Sequence, residues 1–131
     1  MANPTKVKWI LIVEDELDLR DLMAEKLTQA GFRVLGCGNV SEALQKSAIQ
    51  RFGCIVLDFQ LDKGGTGADI VLALRKDNFG LNYATPILMI SADLSPEIIT
   101  VVANKINSAL VKPFVPDVFI EKVKQLCPLT D

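Results

Sequence analysis

The segment Cys54–Leu61, with the sequence CIVLDFQL, decides the fold. Its first four residues are apolar and have the length and composition of a strand that is buried on both faces of a sheet. Asp58 follows this run directly. Because an unpaired buried carboxylate is costly, we expect Asp58 to face a cation or another polar partner at the end of the strand.

Five such apolar runs alternate with stretches of helical periodicity along the chain. The predicted strands are Val7–Val13, Arg33–Gly36, Cys54–Leu57, Pro86–Ile90 and Ala109–Val111. This alternation is typical of βαβ units, which build a parallel sheet with helices on both faces. The sequence therefore predicts an α/β fold with a five-stranded parallel sheet.

Start and stop signals place the five helices between and after these strands. Gly31 stands at the expected end of the first helix, and Asn39 with Glu42 forms a capping pair at the start of the second. The third covers about Ala68–Lys76, the fourth follows Ser95 and Pro96, and the fifth starts around Pro116. The apolar residues that recur at helical spacing are, helix by helix, Leu19, Leu22, Met23, Leu27 and Ala30; Ala43, Leu44 and Ala48; Ile70, Val71 and Leu74; Ile98, Ile99, Val102 and Ile106; and Phe119, Ile120, Val123 and Leu126.

Composition limits the possible classes of protein. With 131 residues, of which 50% are hydrophobic, residues 1–131 are expected to form a single domain. A net charge of −2 disfavours direct nucleic-acid binding, which usually needs a basic face. No apolar run approaches the roughly 20 residues of a membrane span, and the N-terminus lacks a secretory cleavage site. We therefore expect a cytoplasmic protein with no membrane contact.

The chain contains no histidine and three cysteines. The cysteines, Cys37, Cys54 and Cys127, lie in or beside apolar runs and form no C-x-x-C pair, so they are interpreted as reduced, buried side chains. The lack of histidine excludes Ser-His-Asp and Cys-His nucleophiles as well as His-ligated metal centres. Any chemistry must use carboxylates, hydroxyls, lysines and the backbone.

Polar side chains stand directly after four of the predicted strands. They are Glu14 and Asp15, Asp58, Ser91 and Lys112. Taken singly, each has an ordinary explanation as an acidic helix start, a turn residue, a local hydrogen bond or a solvated charge. The carboxyl ends of parallel strands share one edge, however, where ligands bind in such folds. Their joint occurrence therefore predicts one site.

Three carboxylates brought together repel one another unless a pKa rises or a cation binds. Mg²⁺ suits such a site because it accepts a few carboxylates, keeps waters and binds phosphate oxygens. The metal would offset charge on a phosphoryl group, Lys112 would hold another phosphoryl oxygen, and Ser91 would donate a hydrogen bond. Asp58 is then left as the nucleophile, which would form an acyl phosphate.

These residues resemble the receiver domain of two-component response regulators. The family has an acidic pair after strand one, a phosphoacceptor aspartate after strand three, a Ser or Thr after strand four and Lys-Pro after strand five. Glu14–Asp15, Asp58, Ser91 and Lys112–Pro113 match this pattern. The likeness runs through the whole chain, and it implies a flavodoxin-like three-layer (βα)5 fold with strand order 2-1-3-4-5.

The resemblance also implies roles for individual residues. Asp15 and Asp58 would ligate Mg²⁺ directly, Gln60 would offer its backbone carbonyl, and Glu14 would act through water. Ala92 matches the small residue that follows the hydroxyl in the family, where a larger side chain would block the phosphoryl group. The Lys112–Pro113 peptide bond would be cis.

The sequence departs from the family at two places. Ala109 stands three residues before the lysine, where the family usually has a Tyr or Phe that turns inward on activation. We therefore expect activation to act through the Ser91 loop and the fourth helix, or through partner recognition. Asp62 replaces a family proline, and the loop DKGGTG at 62–67 is one residue longer than usual. This loop is either a flexible connector or the border of a binding site.

The resulting hypothesis is a phosphoacceptor signalling module that catalyses only its own phosphorylation and dephosphorylation. Its phosphodonor would be a sensor histidine kinase or a histidine phosphotransfer protein, and its output would be a contact with an unknown protein, as a monomer or weak dimer. Both a stand-alone regulator and a receiver excised from a hybrid kinase fit the sequence. The alternative is a small Mg²⁺-dependent phosphohydrolase with an aspartate nucleophile, but Gln60 occupies the place of its second acid. A phosphorylation-independent binding module is a third reading, in which loss of Asp58 or Lys112 would be expected.

Overall fold

In the computed structural model, which describes residues 7–61 and 64–129, strands and helices alternate along the chain. The strands are β1 Trp9–Val13, β2 Arg33–Cys37, β3 Cys54–Asp58, β4 Ile87–Ser91 and β5 Ser108–Val111. The helices are α1 Leu17–Gln29, α2 Val40–Ile49, α3 Gly67–Lys76, α4 Pro96–Val102 and α5 Pro116–Leu126. Every strand pairs in parallel, in the order β2-β1-β3-β4-β5. The predicted fold and strand order are confirmed.

Apolar side chains fill both faces of the sheet. Leu11, Val13 and Leu57 pack with residues of α2, α3 and α4 on one face. Ile12 and Val56 pack with residues of α1 and α5 on the other. Each aliphatic side chain that is fully buried in this way contributes about 1.5–3 kcal/mol of transfer free energy, so the central strands stabilise both layers. Among the described residues, no helix has the length and apolar character needed to cross a membrane.

The register of the sheet brings the carboxyl ends of the strands to one edge. Val13 at the end of β1 pairs with Cys37 and with Leu57, which precedes Asp58. Ser91 at the end of β4 pairs with Val111, which precedes Lys112. The parallel register therefore places the polar residues at the carboxyl ends of these strands along a single rim.

Several predicted boundaries were wrong by one or two residues. Val7 does not belong to β1, because the pairing with β2 begins only at Trp9, opposite Arg33, and Val7 is 59% exposed. Pro86 precedes β4, whereas Asp58 and Ser91 are the last residues of their strands rather than the first residues after them. Strand ends depend on where the partner strand stops, and local composition does not record this.

The inward face of α2 also differs from the prediction. Ala48 is exposed, and Ser47 is buried in its place. The Ser47 hydroxyl donates to the Ala43 carbonyl at 2.8 Å, which satisfies the hydroxyl within the helix. In α1, Leu22 remains 41% exposed although it lies at helical spacing with buried residues.

Three of the four predicted helix signals at Gly31, Asn39, Ser95 and Pro96 have the expected geometry. Gly31 follows α1 with a φ of 108°, a left-handed conformation that favours glycine. The Asn39 Oδ1 accepts from the Glu42 N–H at 2.9 Å at the start of α2. Ser95 lies at the N-cap of α4, but its side chain makes no capping hydrogen bond there. Pro96 is the first residue of that helix, as predicted.

Candidate functional site

The structure brings Glu14, Asp15 and Asp58 together at the rim of the sheet. One carboxylate oxygen of each lies within 4.8 Å of the others. Glu14 and Asp58 are buried, at 1% and 5% exposed, while Asp15 is partly exposed. Charged groups are rarely buried unless they are paired or bind a metal, so this cluster needs cations.

Lys112, which follows β5, supplies one of them. Its Nζ donates to Glu14 Oε1 at 2.8 Å and to Asp58 Oδ2 at 2.7 Å. Burial alone would lower the pKa of Lys112, but the hydrogen bonds to Asp58 and Glu14 outweigh it and raise that pKa. The explanation of Lys112 as a solvated charge at a turn is therefore wrong.

The single ammonium group of Lys112 does not balance the charge of the three acidic side chains. Burial, followed by the hydrogen bond to Asp58, raises the pKa of Glu14 to about 8, although Lys112 acts in the opposite direction. When both carboxylates are ionised, Glu14 Oε2 is the one buried side-chain nitrogen or oxygen without a hydrogen-bond partner among the described residues. An orphaned oxygen beside two further carboxylates fits a divalent cation with oxygen ligands, which is the donor set that Mg²⁺ prefers.

The carboxylate of Asp58 is held from two sides. The Gln60 N–H donates to Asp58 Oδ1 at 3.0 Å, and Lys112 binds the other oxygen. The Phe59 N–H donates to the Ile90 carbonyl at 2.8 Å, which extends the pairing with β4 by one residue. The side chain is therefore fixed at the end of β3 in one orientation toward the rim.

Gly67 is a site residue that the sequence reasoning did not single out. Its N–H donates to the Phe59 carbonyl at 2.8 Å, and a Cβ at this position would collide with the Asp58 carbonyl. Only glycine lets the start of α3 approach the Asp58 backbone this closely. The last residue of the loop at 62–67 therefore borders the site.

The rest of that loop is shaped by glycine and by a helix cap. Gly64 and Gly65 have φ values of 77° and 122°. The Thr66 N–H donates to Asp69 Oδ2 at 2.8 Å, which caps the start of α3. The replacement of a family proline by Asp62 lies outside the described residues, as does Lys63.

Ser91 is fully buried at the end of β4, and its hydroxyl is bound locally. Its Oγ donates to the Asp93 carbonyl at 2.6 Å and accepts from the Asp93 N–H at 3.1 Å. This is the local hydrogen bonding that the sequence left open for Ser91. The hydroxyl would have to release Asp93 before it could donate to a ligand.

Ala92 and Pro113 lie beside Lys112 around a cavity of about 390 Å³ that α1 also lines. The Lys112–Pro113 peptide bond is cis, as the resemblance implied. Ala109 lies partly buried in β5 and pairs with Met89. No ring stands at this position, because the residue is alanine.

A family model agrees with this geometry. The model of the response regulator receiver domain matches residues 10–124. The sensor histidine kinase AruS of Pseudomonas aeruginosa is 32% identical over 90 residues, which are 69% of this chain and 9% of the kinase. The chemotaxis protein CheY1 of Helicobacter pylori is 29% identical over 125 residues, which are 93% of this chain and 98% of that protein. The chain thus spans under a tenth of one relative and nearly all of another.

Solved structures show the same fold. The chemotaxis response regulator CheY4 of Vibrio cholerae has a TM-score of 0.83 and 29% identity, and the match covers 92% of this chain and 99% of that chain. The response regulator protein TrrA of Thermotoga maritima, in complex with Mg²⁺-BeF, has a TM-score of 0.78 and 27% identity, with coverage of 92% and 99%. The strand order, the acidic rim and the family match all agree, and the chain belongs to the response regulator receiver domain family of two-component signalling.

Proposed function

We propose that Asp58 is the phosphoacceptor of this receiver domain. The observation that carries this assignment is the pairing of the buried Asp58 carboxylate with Lys112 at 2.7 Å, inside a cluster of acidic residues. Among the three carboxylates, that of Asp58 is fixed from both sides, by Lys112 and by the Gln60 N–H. A nucleophile held in one orientation loses little entropy when it attacks.

In the proposed site, Asp15, Asp58 and the backbone carbonyl of Gln60 hold Mg²⁺, and Glu14 acts through a bound water. Two features support this: the carboxylate oxygens lie within 4.8 Å of one another, and Glu14 Oε2 has no partner among the described residues. The Mg²⁺-BeF complex of TrrA, a relative of the same fold, points the same way. When bound, the metal offsets negative charge on the phosphoryl group.

The chain's own residues carry the transfer. An Asp58 oxygen attacks phosphorus while the bond between phosphorus and the donor nitrogen of a phosphohistidine breaks, and an acyl phosphate forms. The Lys112 ammonium moves from the carboxylate to a phosphoryl oxygen, where it offsets the charge. Ser91 exchanges the Asp93 carbonyl for another phosphoryl oxygen. Water later attacks the phosphorus, the bond between phosphorus and the Asp58 oxygen breaks, and inorganic phosphate leaves as the Asp58 carboxylate is restored.

The position that an aspartate-nucleophile hydrolase uses for its general acid is not acidic in this chain. Gln60 stands two residues after the nucleophile, where an aspartate-nucleophile hydrolase has its second carboxyl group, and an amide does not donate a proton at neutral pH. We therefore propose a signalling module that catalyses only its own phosphorylation and dephosphorylation. Ala92, exposed beside the site, leaves room for the phosphoryl group.

The phosphodonor in this proposal is a sensor histidine kinase or a histidine phosphotransfer protein. One relative is itself a sensor histidine kinase, of which the matched region forms 9%. Residues 1–131 would act as one receiver domain in the cytoplasm, where the three free cysteines stay reduced. The output would be a contact with another protein.

Intact mass measurement after treatment with acetyl phosphate and Mg²⁺ tests the assignment. We expect the wild type to gain one phosphoryl group and Asp58→Asn to gain none. Asp117→Asn, which removes an exposed carboxylate from α5, serves as the matched control and should behave as the wild type. Equal labelling of Asp58→Asn and the wild type would overturn the role of Asp58.

A further inference from the structure

Arg20, in the first turn of α1, reaches back over the loop that carries the acidic pair. Its Nη1 donates to the Glu14 carbonyl at 2.9 Å. On the other side of the same residue, the Glu14 N–H donates to the Cys37 carbonyl at 3.0 Å. Both backbone polar groups of Glu14 are thus fixed, one by β2 and one by a guanidinium.

Two glycines make room for this side chain. A Cβ at Gly36 would lie 3.2 Å from Arg20 Cδ, and a Cβ at Gly38 would lie 2.9 Å from Arg20 Nη1. The path of Arg20 therefore runs along the end of β2, over residues that lack side chains. The same hypothetical Cβ of Gly38 lies 3.9 Å from both the Asp15 Cα and the Glu14 carbonyl oxygen, so Gly38 lies against the backbone of the acidic pair as well as against the guanidinium.

We propose that Arg20, seated on Gly36 and Gly38, is a positioning residue that holds the Glu14–Asp15 loop in the geometry needed to bind Mg²⁺. The residue touches neither phosphoryl group nor metal in this role, and it acts through the Glu14 carbonyl. The arrangement rests on the proposed function, because it assigns a task to Arg20 only if the acidic rim binds the metal. Partners that orient metal ligands typically change metal affinity by about 10- to 100-fold when they are removed.

A guanidinium suits this task better than an ammonium. Arg offers several N–H donors in a planar group that stays charged, whereas Lys is a compact point charge on a flexible stem. Its positive charge also lies beside a loop that carries two carboxylates. The Arg20→Lys variant should therefore recover only part of what Arg20→Met loses.

Calorimetric titration with Mg²⁺ is the main test. For Arg20→Met we expect the dissociation constant for Mg²⁺ to rise by about 10-fold relative to the wild type. The rate of phosphorylation by acetyl phosphate at saturating Mg²⁺ should stay close to that of the wild type, because Asp58, Lys112 and Ser91 are untouched. Arg51→Met, which removes an exposed arginine just before β3, is the matched control and should bind Mg²⁺ as the wild type does.

Gly38→Ala is a second variant that keeps the arginine but displaces it. The added methyl group meets the far end of a flexible side chain, so we expect the fold to persist while Arg20 loses the Glu14 carbonyl. Mg²⁺ affinity should fall in this variant as well. In the metal-free protein, hydrogen exchange at the Glu14 amide should be faster in both variants than in the wild type.

The outcomes separate this inference from the proposed function. If the wild type itself took up no Mg²⁺, the proposed metal site would be wrong. If the wild type bound Mg²⁺ and both Arg20→Met and Gly38→Ala bound it equally well, the role of Arg20 would be overturned while the metal site stood. Loss of the phosphorylation rate at saturating Mg²⁺, without a change in Mg²⁺ affinity, would also contradict a positioning role.

Discussion

At the amino-terminal end of the sheet Asn82 is 1% exposed, and its amide makes four hydrogen bonds to protein groups. At the carboxyl-terminal end Glu14 is equally buried, yet its Oε2 has no partner among the described residues. Asn82 ties the carbonyls of Ser47 and Gln50 to the Phe52 N–H and the Thr85 hydroxyl. The first cluster is complete without a ligand, and the second is not.

Arg75 forms a second satisfied hydrogen-bond network at the amino-terminal end of the sheet. Its guanidinium donates to the carbonyls of Lys105, Tyr83 and Thr85 at 2.8–2.9 Å, which joins the segments on both sides of β4 and α4. Satisfied polar networks of this kind rigidify a fold, whereas a buried group left unsatisfied is costly and persists where a ligand completes it. We therefore expect the two ends of the sheet to have different tasks: one fixes the chain and the other binds a ligand.

Asn82→Ala gives the largest expected effect and acts on stability. Removal of the amide leaves buried donors and acceptors without partners, so we expect the free energy of unfolding to fall by about 3 kcal/mol. Mg²⁺ affinity of the folded fraction should not change. Urea unfolding measures the first quantity and calorimetry the second, and the exposed Asn78→Ala is the matched control. A large loss of Mg²⁺ affinity in folded Asn82→Ala would break the separation of the two ends.

Lys112→Met tests the carboxyl-terminal end of the sheet through the rate of phosphorylation. Without the ammonium we expect phosphorylation by acetyl phosphate to slow by about 100-fold, the order found when one charge-stabilising donor is lost from a transition state. Mg²⁺ should still bind, and more tightly, because Lys112 competes for the carboxylates of Glu14 and Asp58. Rates from phosphorylation time courses, compared with those of the exposed Lys76→Met, check this. Weaker Mg²⁺ binding in Lys112→Met would contradict it.

Glu14→Gln tests whether the buried carboxyl group at the carboxyl-terminal end makes the free energy of unfolding depend on pH. In the metal-free protein burial raises the pKa of Glu14 to about 8, so the folded state holds a proton that the unfolded chain has already lost above its ordinary pKa. The free energy of unfolding should therefore fall as the pH rises from about 5 to 8. The chain has no histidine to mask this slope.

The slope should shrink in Glu14→Gln, whose amide does not titrate, and in the wild type at saturating Mg²⁺. Urea unfolding at several pH values, with and without Mg²⁺, measures it. The same slope in Glu14→Gln and in the metal-free wild type would show that Glu14 is not the responsible group.

The smallest expected effect concerns the readout of phosphorylation. Because Ala109 provides no aromatic ring and Ser91 must release Asp93, we expect the changes to pass through residues 92–95 and α4. Hydrogen exchange with and without beryllofluoride and Mg²⁺ should then show added protection in those segments. Protection confined to Glu14, Asp15 and Asp58 would contradict this route.

The sequence predicted the sheet and the acidic rim well, because both depend on local patterns. Apolar runs of strand length end at Val13 and Leu57, and the polar residues that follow them are visible in the chain. The predicted start of β1 at Val7 was wrong, since a strand extends only as far as its pairing with the partner strand. The predicted inward face of α2 was wrong at Ala48, because Ser47 is buried instead. The Ser47 hydroxyl bonds within its own helix and can therefore be buried at low cost.

The residues that the sequence did not single out act through partners that lie outside their own helix or loop. Asn82 bonds to groups about 30 residues away along the chain. Position 67 must be glycine because the start of α3 closely approaches the Asp58 backbone. Arg20 reaches a carbonyl in the preceding loop by passing over Gly36 in β2 and Gly38 just after β2. A polar side chain or a glycine in a helix or loop carries no local sign of these partners, so only the three-dimensional arrangement reveals them.

A crystal structure with Mg²⁺ and beryllofluoride tests the central claim most directly, because it locates the metal and the phosphoryl analogue together. We predict beryllofluoride on the Asp58 carboxylate, with Lys112 and Ser91 bound to its fluorines, and Mg²⁺ held by Asp15, Asp58 and the Gln60 carbonyl. A structure at saturating concentrations in which Asp58 carries no beryllofluoride, or in which Mg²⁺ lies away from the carboxylates of Glu14, Asp15 and Asp58, would contradict it.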